Sequence, residues 1–200
     1  MPSKSSLGQG YEFHSMKKKP SAKGGFLIST HCYRFKTRFN RFYIVEVEQY
    51  QHHVYIIKFY LKNHRNSPNK FSLMTNYKDQ EGQRHFDNDG FRIMSTCVRI
   101  MLRIREVDPL ASGGFIGANR VGEGMHNTKR FQIYRQLAVT FFDPKHFDHY
   151  PNVAESAYFI QARNNPDALL LQKAELMFNE LYVLPNNLFV AGSGRTAGVG

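Results

Sequence analysis

Two segments rich in β-branched and aromatic residues, Phe42–Glu48 and Val54–Lys62, constrain the fold of this chain most strongly. Both are shorter than a typical helix, and Val, Ile, Tyr and Phe favour strands. Only the five residues Gln49–His53 separate them, which is a usual length for a hairpin connection. The sequence therefore predicts an antiparallel hairpin that organises the rest of a sheet.

Further strands are expected on both sides of this hairpin. Tyr33–Arg38 alternates aromatic residues or Thr with basic residues, as a half-buried strand does. Phe71–Asn76 has a weaker strand pattern, and Phe115–Ile116 and Ser156–Ala162 are short apolar segments flanked by turn residues. These patterns indicate a mainly antiparallel, twisted sheet of five to six strands.

Three segments have the periodicity of amphipathic helices. Phe91–Arg105 and Thr128–Phe142 carry apolar residues at spacings of three and four, and an Asp-Pro dipeptide lies beyond the end of each. The third helix is expected to open with Asn165 as its N-cap and Pro166 at its first position. The predicted order is β-β-β-β-α-β-α-β-α, an α+β fold with three helices.

Composition divides the chain into three parts. Residues 1–25 are polar and rich in Gly, Ser and Lys, which predicts a disordered basic leader. Residues 26–184 are expected to form a single α+β domain, and residues 185–200 a flexible tail. No secretory signal pattern and no apolar run of about 20 residues occurs, so we expect a cytoplasmic protein that does not enter a membrane.

The positive charge is concentrated in the first third of the chain. Residues 1–70 contain 13 Lys and Arg against three acidic residues, so they carry +10 of the total net charge of +11. Such asymmetry favours contact with a polyanion, and residues 1–41 are the predicted contact region for nucleic acid or an acidic protein. The alternative is that these basic residues are simply solvated.

The most informative stretch for function is the start of the second predicted helix. Backbone N–H groups at a helix N-terminus attract anions, and Lys129 and Arg130 strengthen that field. Asn127, Thr128, Lys129 and Arg130 are therefore the predicted anion-binding residues. Tyr134 follows one turn later as a candidate proton donor, although a core-edge aromatic and a plain N-cap at Asn127 or Thr128 are the alternatives.

This region resembles the acetyl-CoA-dependent N-acetyltransferase (GNAT) superfamily. The strand and helix order is similar, and Asn127 and Tyr134 have the superfamily's separation of seven residues. Thr128–Arg135 also resembles a T-[KR]-R-x-x-x-Y-R signature of small bacterial proteins. The resemblance implies acetyl-CoA as cofactor, Asn127 close to the acyl carrier, and Tyr134 as the residue that protonates the departing thiolate.

A transferase of this kind also needs a base for the acceptor amine. Glu46 and Glu48 occupy alternate positions of one predicted strand, so both side chains lie on the same face of the sheet. Either carboxylate is a candidate catalytic base. The preferred alternative is that they form cross-strand ion pairs with Arg34, Lys36 or Lys58.

The predicted cofactor loop departs from the superfamily pattern. The segment that fits its spacing, Arg84–Asp89, has Asp87 and Asp89 where glycines should bring bare backbone N–H groups to a pyrophosphate. Carboxylates at these positions repel phosphate. We therefore expect either an N-acyltransferase with a degenerate loop, active or inactive, or a non-enzymatic basic binding module. The Asp and His residues of 142–149 give no convincing metal site.

Overall fold

The computed structural model describes residues 10–21, 25–68, 70–71, 89–117, 124 and 126–182. This part of the chain contains three α-helices, none of which is long and apolar enough to cross a membrane. The strands are β1 (Phe13–Pro20), β2 (Leu27–Lys36), β3 (Phe42–Tyr50), β4 (Val54–Leu61), β5 (Ser112–Ile116), β6 (Phe147–Asn152) and β7 (Ala157–Ala162). The helices are α1 (Asp89–Val107), α2 (Lys129–Phe141) and α3 (Leu170–Tyr182).

All seven strands belong to one mixed sheet in the order β1-β2-β3-β4-β5-β7-β6. Every neighbouring pair is antiparallel except β4 and β5, which are parallel. The predicted α+β class and mainly antiparallel sheet are confirmed for the described residues. The prediction of five to six strands is wrong, because two strands were missed.

The first missed strand lies in the predicted disordered leader, and that prediction is wrong for Phe13–Pro20. These residues form β1, which pairs with β2 from Phe13 opposite Phe35 to Pro20 opposite Ser29. Charged residues and proline are typical of exposed edge strands, so a strand of this kind carries little apolar pattern. Residues 1–9 and 22–24 of the predicted leader, and the predicted tail 185–200, lie outside the described residues.

An aromatic anchor holds the start of β1 against the domain. Tyr11 is 6% exposed, and its ring stacks on Phe35 at 5.7 Å between centroids. Its backbone N–H donates to Thr96 Oγ1 of α1 at 2.8 Å. The segment before β1 is therefore packed against α1 rather than solvated.

The second missed strand is β6, which follows the end of α2. Phe147–Asn152 pairs with β7 and buries Phe147, although its sequence FDHYPN has only a weak strand pattern. The predicted strand Phe71–Asn76 is described only at Phe71, which lies in a turn. The third helix begins at Leu170 rather than at Asn165, whose Oδ1 instead accepts from the Asp167 N–H at 3.0 Å.

The helices cover both faces of the sheet. On β3, Val45 and Val47 are fully buried and pack in the larger core cluster, which includes residues of α1 and α2. Tyr50 and Ile56 belong to the smaller cluster, which is completed by Leu170 and other α3 residues. Because alternate residues of a strand point to opposite faces, α1 and α2 lie on one side and α3 on the other. We call these sides the α1–α2 face and the α3 face.

We expect substitution of Gly114 to disrupt the packing of α3 on β5. A Cβ atom at Gly114 would lie 2.4 Å from Cζ of Phe178, whose ring is 1% exposed, so this ring or the backbone would have to shift. Gly114→Ala should lower the free energy of unfolding by about 1–3 kcal/mol, as overpacking does. Urea denaturation measures this loss, and adding Phe178→Leu should restore part of it.

Gly124→Ala is the matched control for this substitution. A Cβ atom at Gly124 has no neighbour within 4 Å among the described residues. We expect a change within about 0.5 kcal/mol there. Equal losses for the two alanine variants would contradict the role of Phe178.

Candidate functional site

The two parallel strands in the middle of the sheet, β4 and β5, are paired over only three residues each and then diverge. We call this short paired segment the joint. Val54, Tyr55 and Ile56 pair with Ser112, Gly113 and Gly114, and the register between β4 and β5 ends there. Each strand continues, to Leu61 and Ile116 respectively, while it stays paired with its other neighbour. A cavity of about 200 Å³ lies in the gap between them. We call this cavity the central cleft.

The central cleft has apolar walls and three polar groups. Its lining combines residues of both sheet faces, because Ile57 and Phe59 alternate along β4 with Ile56 and Lys58. The cleft therefore passes between the strands rather than lying on one face. The full lining is Ile56, Ile57, Lys58, Phe59, Phe71, Ile116, Arg130 and Tyr134.

Tyr134 reaches the cleft because α2 packs its apolar side on the sheet. Phe131, Tyr134, Leu137 and Ala138 are spaced three and four residues apart and are all buried. The Tyr134 ring lies 4.2 Å from that of Phe115 between centroids. Its side chain is thus held firmly in the wall of the cleft.

The Tyr134 hydroxyl is protonated at neutral pH. Burial raises its pKa well above the ordinary value of a tyrosine. After burial, the largest influences on this hydroxyl are Cys97, which raises its pKa further, and Arg130, which lowers it. The group can therefore donate a proton to a ligand, but it is a poor base.

The start of α2 is turned towards the protein itself. Thr128 is the N-cap and is 1% exposed, and its Oγ1 accepts from the Phe131 N–H at 3.2 Å. The Thr128 N–H donates to Ser156 Oγ at 2.8 Å. Of the two N-cap alternatives, the structure has Thr128 as the cap, and an N-cap at Asn127 is wrong. Asn127 lies just outside with φ of 48°, and its N–H donates to the Val153 carbonyl at 2.9 Å.

The four predicted anion-binding residues are placed differently from one another. Arg130 is buried and lines the cleft, and its Nη1 donates to the Phe71 carbonyl at 2.6 Å. Lys129 is exposed, Asn127 is half-buried and Thr128 is enclosed. Anion binding by this group remains a prediction, and Arg130 is the member that the structure brings into the cleft lining.

The two predicted carboxylates form ion pairs on the α3 face. Glu48 Oε2 lies 2.6 Å from Lys58 Nζ and accepts from the Tyr50 hydroxyl at 2.7 Å. Pairing of Glu48 with Lys58, the preferred alternative, is thus confirmed. Glu46 accepts from the Tyr60 hydroxyl at 2.8 Å.

Glu46 is less tightly engaged than Glu48. Its Oε2 has a contact with Lys70 Nζ at 3.5 Å, which is long for a charged hydrogen bond. In the β3–β4 ladder, Glu46 lies directly opposite Lys58, which lines the cleft. Glu46 therefore stands next to the cleft but is not part of its lining.

Asp89 has a structural role at the start of α1. The sequence places this carboxylate in the degenerate cofactor loop, but the structure makes it the first residue of the helix, 7% exposed. It accepts a hydrogen bond from the Tyr11 hydroxyl and lies 3.7 Å from Arg38 Nε. A carboxylate at a helix N-terminus is favourable because of the helix dipole. Residues 84–88 of the predicted loop lie outside the described residues.

Three of the Asp and His residues of 142–149, namely Asp143, Asp148 and His149, bind protein partners. Asp148 pairs with Arg163 at 2.8 Å, and His149 lies between the Tyr158 hydroxyl and the Phe142 carbonyl. Across the described ranges, no group of three or more His, Cys, Asp or Glu side chains could hold a metal ion.

Lys58 and Phe71 line the cleft but were not predicted as site residues. Lys58 is the only charged residue in β4, between runs of apolar and aromatic residues, and this isolation could have indicated a special position. Phe71 joins the cleft through a turn, for which the sequence gives no signal. Comparison of this chain with protein-family models, curated proteins and solved structures finds no match.

We expect the buried tyrosines next to the cleft to make the protein sensitive to alkali. Burial raises the pKa of Tyr158 to about 12, above the ordinary value of 10.0. The unfolded chain therefore loses this proton first, so stability is full below pH 10 and falls as the pH rises towards 12. At about 1.4 kcal/mol per pKa unit, the Tyr158 share is at most about 3 kcal/mol.

Urea denaturation of the wild type and Tyr158→Phe at pH 8 to 11.5 measures this effect. The variant should be less stable at pH 8, because Tyr158 loses its contact with His149, but its stability should fall less steeply above pH 10. Parallel curves for the two proteins over the whole range would contradict the assignment.

Proposed function

We propose that the protein is an acyl-CoA-dependent N-acyltransferase of the GNAT-like kind, with the reacting acyl group held in the central cleft. The observation that carries the proposal is the parting of the parallel strands β4 and β5 beside the buried hydroxyl of Tyr134. The resemblance implies that an acyl donor binds between diverging central strands. A cavity of about 200 Å³ with apolar walls suits a small acyl group and the thioester that carries it.

The three polar groups of the cleft suit acyl transfer from a thioester. An acceptor amine attacks the thioester carbonyl, a C–N bond forms, and the C–S bond breaks with its electron pair on sulfur. The neutral hydroxyl of Tyr134 donates its proton to that sulfur, which leaves as a thiol. Lys58 places a positive charge at the cleft, where it stabilises the negative charge that develops on the carbonyl oxygen.

Glu46 is the better of the two candidate bases. The acceptor amine loses one proton when it attacks the thioester, and a base must accept this proton. Both candidate bases lie on the α3 face, from which Lys58 enters the cleft. Among the described residues, Oε2 of Glu48 is held by Lys58 and Tyr50 at hydrogen-bonding distance, whereas Oε1 of Glu46 accepts from Tyr60 and its Oε2 has a long contact to Lys70. Solvent then carries the proton from Glu46 and returns one to Tyr134, which completes the cycle.

Of the residues proposed to bind the carrier, Lys129 is the most accessible. It is exposed at the first position of α2, where its charge adds to the helix dipole. Asn127 adjoins it and is half-buried, while Thr128 and Arg130 are buried. We therefore propose that Lys129 contacts the phosphates of acetyl-CoA. Arg130, which lines the cleft, lies close to the acyl end of the bound molecule.

Calorimetric titration with acetyl-CoA tests the binding step, and micromolar affinity is expected. Ile116→Trp fills the cleft lining and should weaken binding at least tenfold. Val139→Trp is the matched control, because Val139 is 53% exposed on α2 and lies outside the cleft lining. Absence of both heat and a thermal shift with wild-type protein at 1 mM ligand would overturn the proposal.

Tyr134→Phe tests the proton donor. With a panel of polyamines, free lysine and peptide α-amines as acceptors, thiol release should fall roughly 100-fold while acetyl-CoA affinity stays within about twofold. Tyr158→Phe is the control, since both tyrosine rings contact Phe115 but only Tyr134 lines the cleft. Equal rates in the two variants would contradict a catalytic role for Tyr134. Binding without thiol release from any acceptor would indicate an inactive acyl-CoA-binding protein.

A further inference from the structure

Strand pairing brings basic side chains together on the α3 face of β1 and β2. His14 lies opposite Arg34, Lys17 opposite Cys32, and Lys19 opposite Thr30. Directly opposed residues share a face of the sheet, and alternate residues of a strand return to it. The same face therefore carries five exposed basic residues, which we call the basic sheet face: His14, Lys17, Lys19, Arg34 and Lys36.

The charges of the basic sheet face are not neutralised by the described residues. None of Lys17, Lys19, Arg34 and Lys36 has an acidic group of the described chain within 4.0 Å. The two carboxylates that face the same way from β3 are held by Lys58, Lys70 and tyrosine hydroxyls. The nearest acidic residue along β1 is Glu12, which lies before the strand begins.

One exposed aromatic ring lies within this charged surface. Phe42 is directly opposite Lys36 in the β2–β3 ladder and is 42% exposed. Lys36 Nζ and Lys62 Nζ lie 5.5 and 5.6 Å from the centre of its ring. An exposed aromatic ring between ammonium groups combines a stacking surface for a base with contacts for the adjoining phosphates.

The aromatic residues of β2 do not contribute to the surface. The alternation in Tyr33–Arg38 favours a core position for its aromatic rings, and the structure buries Tyr33 and Phe35 to 9% and 1% exposure. They belong to the core cluster of the α1–α2 face. Phe42 can therefore stack on a base, and the basic residues around it supply positive charge.

We propose that the basic sheet face, with Phe42 and Lys62, binds single-stranded nucleic acid. The unpaired positive charge accounts for affinity to a polyanion, and the ring of Phe42 favours a nucleic acid over an acidic protein. The strands β1 to β3 present a surface about 10 Å across, since neighbouring strands lie about 4.8 Å apart. The face of a sheet can hold a flexible single strand, whose bases are free to stack on Phe42, whereas the bases of a duplex are already stacked on one another.

Fluorescence anisotropy with a labelled 12-nucleotide oligothymidine tests the proposal on the full chain. Affinity should fall steeply with salt, with a slope of log affinity against log salt of about −3 for four to five phosphate contacts. A duplex of the same length should bind at least fivefold more weakly. A flat salt dependence, or tighter binding of the duplex, would overturn the proposal.

Adjacent lysines of β1 supply a matched pair of variants. Lys17→Ala should weaken binding about three- to tenfold, because Lys17 lies on the basic sheet face. Lys18→Ala removes the same charge from the next residue, which is paired with His31 on the α1–α2 face, and should leave affinity within twofold. Equal losses of affinity in the two variants would show that the net charge alone attracts the oligonucleotide. They would contradict binding at the basic sheet face. Point variants are preferable to truncation, because removing residues 1–25 also removes β1.

Phe42→Leu separates base stacking from charge. The variant should lose about fivefold in affinity for oligothymidine and keep its affinity for heparin, a polyanion without bases. Equal affinity of the wild type and Phe42→Leu for oligothymidine, or tighter binding of poly-glutamate than of oligothymidine, would favour an acidic protein partner and overturn the assignment. Acetyl-CoA titration of the same variants shows whether this surface is independent of the central cleft.

Discussion

The architecture depends on a joint of three residue pairs between β4 and β5. Each strand keeps a longer ladder with its other neighbour: β4 pairs with β3 over eight residues and β5 pairs with β7 over four. These ladders direct the two strands along different paths, so their backbones separate once the joint ends. The sheet is therefore two half-sheets, β1–β4 and β5–β7, and the central cleft is the space that their divergence leaves.

The polar groups of the central cleft are set by which side chains reach the space between the two half-sheets. The α1–α2 face contributes the buried ring of Tyr134, whose hydroxyl stays protonated because of its surroundings. The α3 face contributes Lys58, which is fixed by Glu48. A neutral donor and a cation thus reach one cavity from opposite sides of a sheet. Such an arrangement is hard to obtain when neighbouring strands are paired along their whole length.

Much of the fold could be predicted because its main elements have clear periodicity. The β3–β4 hairpin and the first two helices follow directly from β-branched runs and from apolar residues at spacings of three and four. β1 was missed because three successive lysines, Lys17, Lys18 and Lys19, show no alternation of polar and apolar residues. Which of them lies on which face of the sheet is seen only from the pairing with β2. β6 was missed because its polar residues match a loop as well as an edge strand. The parallel pairing of β4 with β5 depends on contacts between residues that are distant in sequence, which local sequence patterns do not predict.

The joint between the half-sheets also governs how the domain can deform. Each half-sheet is stiff along its own ladders, while the connection between them involves only three residue pairs, two of which include a glycine. A small rotation about this joint alters the width of the opening between β4 and β5 more than any other dimension of the sheet. The α1–α2 core spans both halves and opposes that rotation. A rotation of one half-sheet against the other would therefore change the width of the opening and would require the α1–α2 core to deform.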